Sequence, residues 1–243
     1  MRFGQHLRSI DTGNNLCYIS PMKILITSGG TAEKIDDVRS IVNSSTGRLG
    51  CAIAEVFAQQ GPGNHIFYVC GKNTARPKAD VAIVEIEDAK SAQNAISRLL
   101  QSNYADIIIH AMAVSDYRVK AVSTPDGILD DIGKISSNHD EITLHLEKTP
   151  KIIGMLRGLS PKSTIVGFKL LSNVPRGTLL DVGYALLLKN DCDFVLANDS
   201  AEITGDAHKG YLIDRNMRFS KYGTKAEIAR AIVETTLNHR REK

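Results

Sequence analysis

The chain has 243 residues, 42% of them hydrophobic, enough to bury a full core without disulfide or metal staples and at the upper end of single-domain size. Thirty basic against 27 acidic residues leave a formal charge of +3, too small for nucleic acid to be the main partner, and there is no run of like charges, low-complexity tract or internal repeat. No apolar stretch approaches the roughly 18–20 residues of a membrane span, so no membrane partner is expected.

The first 21 residues, MRFGQHLRSIDTGNNLCYISP, are polar and aperiodic and lack the apolar core of about 7–15 residues found in secretory signals. They read as an appendage, disordered or non-native, to a single folded unit at 22–243. From Met22 onward, short β-rich apolar runs recur at Lys23–Ser28, His65–Gly71, Val81–Ile86, Ala105–Ala111, Thr164–Leu170 and Asp193–Ala197. Helical spacing lies between most of them: Leu49, Ile53, Ala54, Phe57 and Ala58; Ala92, Ala95, Ile96, Leu99 and Leu100; and Leu179, Leu180, Val182, Leu186 and Leu187. A last helix is expected from Lys225 to about His239. Strands alternating with helices predict an α/β fold, a Rossmann-like and mostly parallel sheet with helices on both faces.

Two stretches break that alternation. Between Tyr117 and Lys148, VKAVSTPDGIL and ITLHLEK read as extended segments around the polar loop GKISSNHDE, an antiparallel excursion able to serve as a flap and as a dimerisation arm. Near the end, His208–Gly210 and YLIDRNMRFS read as a hairpin turning at Asp214–Asn216. The four cysteines, Cys17, Cys51, Cys70 and Cys192, are scattered without CxxC or metal-ligand spacing. They fit small buried side chains in a reducing cytoplasm rather than a disulfide framework or a metal site.

Five stretches could carry chemistry. In ILITSGGTAEKIDDVR, Gly29 and Gly30 follow a buried strand and would let backbone approach a ligand at the carboxyl edge of the sheet. The segment is not GxGxxG, however, and about 17 residues separate the strand from the next helix, against the usual 2–6. That loop holds Asp36, Asp37, Arg39 and Asn43. Its composition alone fits a surface excursion, whereas Ile35, Val38, Ile41 and Val42 favour an ordered loop. The helix entry SSTGRLG could be capped by Thr46 and could receive an anion. In HAMAVSDYRV, Ala111 and Ala113 leave room for a ligand, and Asp116 is either a turn former or an acceptor for a ribose or base. In GKISSNHDE, Lys134 is either simply solvated or a charge-stabilising group for phosphoryl or nucleotidyl transfer. Phe168 in VGFKL ends a strand; Asn198 and Asp199 follow another, with Lys189 before it.

Together ILITSGGTAEKIDDVRSIVNSSTGRLG, HAMAVSDYR, GKIS, LEKTPKII, VGFKL and DFVLANDS resemble phosphopantothenate–cysteine ligase, the phosphopantothenoylcysteine synthetase of coenzyme A biosynthesis, in its stand-alone bacterial form. The resemblance runs from Met22 to the end of the chain. It implies that 4′-phosphopantothenate attacks the α-phosphorus of CTP, giving an acyl-cytidylate and pyrophosphate, and that the L-cysteine amine then displaces CMP. Mg²⁺ is expected with the CTP, no flavin is expected, and the active sites are shared across a cytoplasmic homodimer. Carried over by position, Gly29, Gly30, Ala113 and Asp116 form the nucleotide site, with Phe168 against the cytosine and Lys189 and Asn198 in its surroundings. Lys134 is the catalytic lysine on the flap. Asn43 contacts the phosphopantothenate and the intermediate, Arg39 assists at the substrate's phosphate end, and Ala113 also borders the acyl substrate.

The chain departs from the fused enzymes in two places. Their KIKK is Lys134-Ile135-Ser136-Ser137 here, and VGFKLLSN replaces GFAAET. Two other readings compete with the ligase. A nicotinamide- or flavin-dependent oxidoreductase would use Lys72 and Arg76 in VCGKNTARP for an NADP 2′-phosphate. A non-catalytic nucleotide-binding protein would keep only the fold.

Overall fold

The computed structural model describes residues 21–242 apart from 62, 103, 130–132 and 205–206, so the amino-terminal segment set apart by the sequence lies, except for Pro21, outside the described residues. β1 (Lys23–Ser28) is followed by a small antiparallel hairpin, β2 (Ala32–Lys34) and β3 (Ser40–Val42), before α1 (Arg48–Gln59). The units β4 (His65–Gly71), β5 (Ala82–Ile86), α2 (Ala89–Ser102) and β6 (Ile107–His110) come next. The excursion folds as its own sheet of β7 (Tyr117–Thr124), β8 (Gly127–Ile128) and β9 (Thr143–Lys148), with β7 in the centre and both pairings antiparallel. The chain returns through α3 (Ile152–Leu159), β10 (Thr164–Leu171), α4 (Arg176–Lys189), β11 (Phe194–Asp199) and the short β12 (Ile203–Thr204). It finishes with the hairpin β13 (Ala207–Asp214) and β14 (Phe219–Thr224), then α5 (Lys225–Arg241).

Among the described residues the main sheet has nine strands in the order β12-β13-β11-β10-β6-β1-β4-β5, with β14 also paired to β13. The six strands from β5 to β11 run parallel, and β13 closes that edge antiparallel to β11. Burial follows the two-residue period of a strand covered on both faces. Ile24 and Ile26 of β1, with Ile107 and Ile109 of β6, face Ile53 and Phe57 of α1 and Ile228 and Ile232 of α5. Leu25 and Ile108 face the other way, onto Ala92 and Ile96 of α2 and Ile152 and Leu156 of α3. α4 covers β11 and β13 through Leu179, Ala197, Tyr211 and Ile213.

The expected α/β architecture and the antiparallel excursion are both present. One helix, α3, was not anticipated from the sequence. Ile152 and Leu156 are buried at helical spacing, but Gly154 and Gly158 dilute the pattern and lower its intrinsic helicity. The apolar residues of the β1–α1 loop also behave differently from expectation: the loop is ordered, yet Val38 is 64% and Val42 62% exposed, so their burial is not what orders it. None of the helices among the described residues is long and apolar enough to cross a membrane.

β1 leads through α1 to β4 on one side, whereas the chain comes back from β5 through α2 to β6 on the other. The carboxyl ends of β1 and β6 therefore border the point where strand order reverses, the place where open α/β sheets hold ligands. Phe57 is fully buried between α1 and the sheet. Phe57→Ala is expected to lower unfolding stability by about 3–5 kcal/mol, measured by urea denaturation; a loss below about 1 kcal/mol would contradict the packing described.

Candidate functional site

A cleft of about 530 Å³ opens at that carboxyl edge. Its walls are the run Asn43–Gly50, Ala111–Ala113 beyond β6, Phe168 and Leu170 of β10, Asn198 of β11, and Ile203, His208 and Lys225. Arg48 and Lys225 bring two cationic side chains, and none of the described lining residues is acidic. Phe168, Leu170, Ile203 and Leu49 supply an apolar wall beside them. Such a surface suits a ligand with a flat apolar part and an anionic part.

The loop between β1 and α1 is built to reach this cleft. Gly30 pairs with Ala113 in a parallel bridge, Ala113 N–H donates to the Gly29 carbonyl at 2.8 Å, and Thr31 N–H donates to the Ala113 carbonyl at 3.2 Å. The Asn43 amide then donates to the same Ala113 carbonyl at 3.1 Å and to Ser115 Oγ at 3.3 Å, returning the chain to the sheet. Both glycines are required by the protein's own packing. Gly29 has φ +79°, and a Cβ there would lie 1.9 Å from Thr74 Oγ1; at Gly30 it would lie 2.4 Å from the Asn43 carbonyl oxygen.

The hairpin tip is ordered by a carboxylate. Asp36 Oδ1 accepts from the N–H groups of Val38 (2.9 Å) and Arg39 (2.7 Å), and its Oδ2 accepts from Ile135 N–H (3.2 Å). Arg39 pairs with Asp36 at 3.4 Å and donates to the Ile135 carbonyl at 3.2 Å. Burial would raise the Asp36 pKa, but these hydrogen bonds and the guanidinium outweigh it and hold the carboxyl below its ordinary value. Lys134, exposed, is thereby fixed to the hairpin tip through its neighbours Gly133 and Ile135.

The amino end of α1 carries no side-chain cap. The sequence allowed Thr46 as the cap, but the N-cap position falls one residue later. Gly47 occupies the N-cap position at φ +71°, with its carbonyl held by Ser28 Oγ at 3.0 Å. The first-turn N–H groups are free of a competing side-chain acceptor and sit in the cleft wall beside Arg48, favourable for an anion. On the opposite side, Asp199 Oδ1 accepts from Asn173 N–H (2.8 Å) and Ala201 N–H (2.9 Å), and Oδ2 from Val174 N–H (2.9 Å). These bonds lower the Asp199 pKa and pin the loops after β10 and β11 against each other.

Of the residues singled out from the sequence, Asn43, Ala113, Phe168 and Asn198 meet in the cleft wall, with Gly29 and Gly30 directly beneath. Arg39 and Lys134 sit together at the hairpin tip, outside the wall. Asp116 is exposed, outside the wall, and ion-paired with Lys151. Lys189 is not brought to this cleft: as the last residue of α4 it precedes β11, and so lies at the amino edge of the sheet. His208 and Lys225 were missed as site residues. The Thr224–Glu227 capping pair marks the start of α5, yet only the antiparallel placement of β13 shows that His208 and that helix start reach the carboxyl edge.

The family described as DNA/pantothenate metabolism flavoprotein C-terminal domain matches residues 19–239. The chain belongs to this family. Another of its similarities is to the coenzyme A biosynthesis bifunctional protein CoaBC of Methanocaldococcus jannaschii, 32% identical over 224 residues covering 91% of the chain and 52% of that protein. The chain thus spans about half the length of the curated relatives it matches. Among solved structures, the DNA/pantothenate metabolism flavoprotein of Streptococcus pneumoniae has TM-score 0.81 at 34% identity, covering 90% of this chain and 99% of that one. The C-terminal domain of a CoaBC protein has TM-score 0.71 at 25% identity, covering 91% and 97%. The coenzyme A biosynthesis family expected from the quoted motifs is therefore the one found.

The described residues contain no group of three or more His, Cys, Asp or Glu side chains arranged to hold a metal ion. One acid-sensitive element follows from Asp199. A carboxyl whose folded pKa lies below its unfolded value, about 3.9, stabilises the fold above that value and loses the contribution as pH falls through the folded pKa. Asp199→Asn keeps one acceptor oxygen for three donors. It is expected to lower the melting temperature at pH 7 and to flatten the decline between about pH 4 and pH 2; melting curves of equal acid slope would refute the clamp.

Proposed function

We propose that this chain joins 4′-phosphopantothenate to L-cysteine at the expense of CTP, through an acyl-cytidylate, releasing pyrophosphate and CMP. The observation that carries the reading is the cleft itself: a phenylalanine-lined apolar wall, two cations, an uncapped helix start and no carboxylate among the described lining residues, at the switch point of the sheet. Membership of a pantothenate-metabolism family and similarity to coenzyme A biosynthesis proteins support it.

The chemistry follows from the substrates. A free carboxylate acylates poorly because its leaving group would be oxide. Attack of the phosphopantothenate carboxylate on the α-phosphorus forms a C–O–P anhydride and expels pyrophosphate; attack of the cysteine amine on the activated carbonyl then expels CMP. The protein's part is to hold the reactants in line and to offset charge on the triphosphate. The cytosine lies against Phe168 near Asn198, and the phosphates lie at the α1 start with Arg48. Asn43, anchored by its amide nitrogen, presents its oxygen to the acyl substrate beside Ala113. Mg²⁺ enters with the triphosphate, since the described residues offer no acidic cluster of their own.

Lys134 lies outside its own cleft wall, and we assign it to the cleft of a second copy in a homodimer. The exposed Tyr117, Ile128, Ile142 and Leu146 on or beside the three-stranded sheet, with Val42 on the hairpin, support an interface on this arm.

Pyrophosphate release is the direct test, with Mg²⁺, 4′-phosphopantothenate and cysteine, run in parallel with CTP and ATP. Release that requires phosphopantothenate and favours CTP is the expected result. Preference for ATP would overturn the base reading, and no release with either would overturn the ligase. Lys134→Gln is expected to reduce kcat by about 100-fold or more with little change in thermal stability, and Asn43→Asp to impair the acyl half-reaction. Wild-type rates in both variants would remove these assignments.

A further inference from the structure

One residue of the cleft wall carries a buried polar atom that the protein leaves unmet. Among the described residues only Thr164 Oγ1 and His208 Nδ1 are buried side-chain polar atoms without a hydrogen-bond partner. Thr164 opens β10 at the amino edge of the sheet, far from the cleft. His208, near the start of β13, is 6% exposed and belongs to the cleft wall with Asn198 and Lys225. A fold retains such an atom where something outside the chain completes it.

The neighbouring Asn198 amide sets the tautomer of the ring. Asn198 Nδ2, a donor, lies 3.3 Å from His208 Nε2, so Nε2 accepts and the ring proton sits on Nδ1. Burial, and then the positive charge of Lys225, disfavour a second proton and bring the pKa down to about 4. The ring is therefore a neutral Nδ1–H donor. Ile203 pairs with His208 between β12 and β13, and Leu170 pairs with Asn198 between β10 and β11; this apolar surrounding suits the nucleoside half of a nucleotide, whereas Arg48 and the α1 start suit the phosphates.

We propose that His208, oriented by Asn198, is a recognition residue for the nucleoside half of the nucleotide, donating from Nδ1–H to a carbonyl, ring-nitrogen or hydroxyl acceptor. This rests on the cleft binding a nucleoside triphosphate, as in the reading above. It adds a specificity group beside Asn198, whose amide nitrogen is engaged with the His208 ring.

The test is calorimetric titration of the full chain with CTP, cytidine and tripolyphosphate, for the wild type, His208→Ala and His208→Asn. His208→Ala is expected to weaken CTP and cytidine about tenfold and to leave tripolyphosphate within about twofold. His208→Asn, which places an amide donor near the Nδ1 position, should recover part of the loss. Unchanged CTP and cytidine affinities, or a loss confined to tripolyphosphate, would overturn the proposal. Should His208→Ala fail to fold, ¹⁵N spectra of the wild-type histidine rings decide it: the His208 signal should report the Nδ1–H tautomer and shift on adding CTP, and a ring unmoved by saturating CTP would overturn it. If the wild type binds neither CTP nor ATP, this proposal and the ligase reading fall together. If it binds and turns over CTP while His208→Ala matches it throughout, only the role of His208 falls.

Discussion

The amide of Asn43 donates to the Ala113 carbonyl and the Ser115 hydroxyl, and the geometry of the carboxyl edge depends on that return contact. A parallel strand ends with its backbone pointing away from the sheet, and a chain leaving β1 would ordinarily enter its helix within a few residues. Here it goes out along β2, comes back along β3 and is tied down where β6 ends. The tie sets the position of Ser44 to Arg48, and so of the amino end of α1, relative to Ala113 and Phe168. Gly30 follows from the same contact, because a side chain there would occupy the place of the Asn43 carbonyl.

Carboxylates do similar work at other edges. Asp36 joins the hairpin tip to Ile135, 99 residues away; Asp199 joins the loops after β10 and β11; Asp193 accepts from Ile165 N–H, Arg157 and His239 at the amino edge. The sheet's own surfaces are almost wholly apolar and fix no loop by shape. A buried carboxylate carries several lone pairs that must all be met, so it selects one arrangement of the N–H groups around it.

Much of this was legible in the residues. β1 and β4 fall on the runs expected of them, because strands buried on both faces read as unbroken apolar stretches, and four of the five helices follow their apolar spacing. α3 escaped because Gly154 and Gly158 thin its pattern. The hairpin in the β1–α1 loop escaped because its order comes from Asp36 and Asn43, which reach partners remote in sequence, while Val38, Ile41 and Val42 remain exposed. Asn43, Ala113, Phe168 and Asn198 were found because the family resemblance carries them over by position, and each lies in a strand or shortly after one. His208 and Lys225 were missed for a topological reason: an antiparallel β13 reverses which end of the strand faces the site, and nothing local in HKGYLID records that reversal.

The face of the sheet formed by Ile24, Ile26, Ile107 and Ile109 is covered jointly by α1 and α5, which also pack on one another. A ribosome delivers β1 and α1 before α5, so until α5 is made part of this apolar face has no cover. The nascent domain thus remains an incomplete, aggregation-exposed intermediate until Ile228, Ile232 and Leu237 have emerged from the exit tunnel. The same helix places Lys225 in the cleft wall, so a chain stalled before it would lack both the cover of the core and one cation of the cleft.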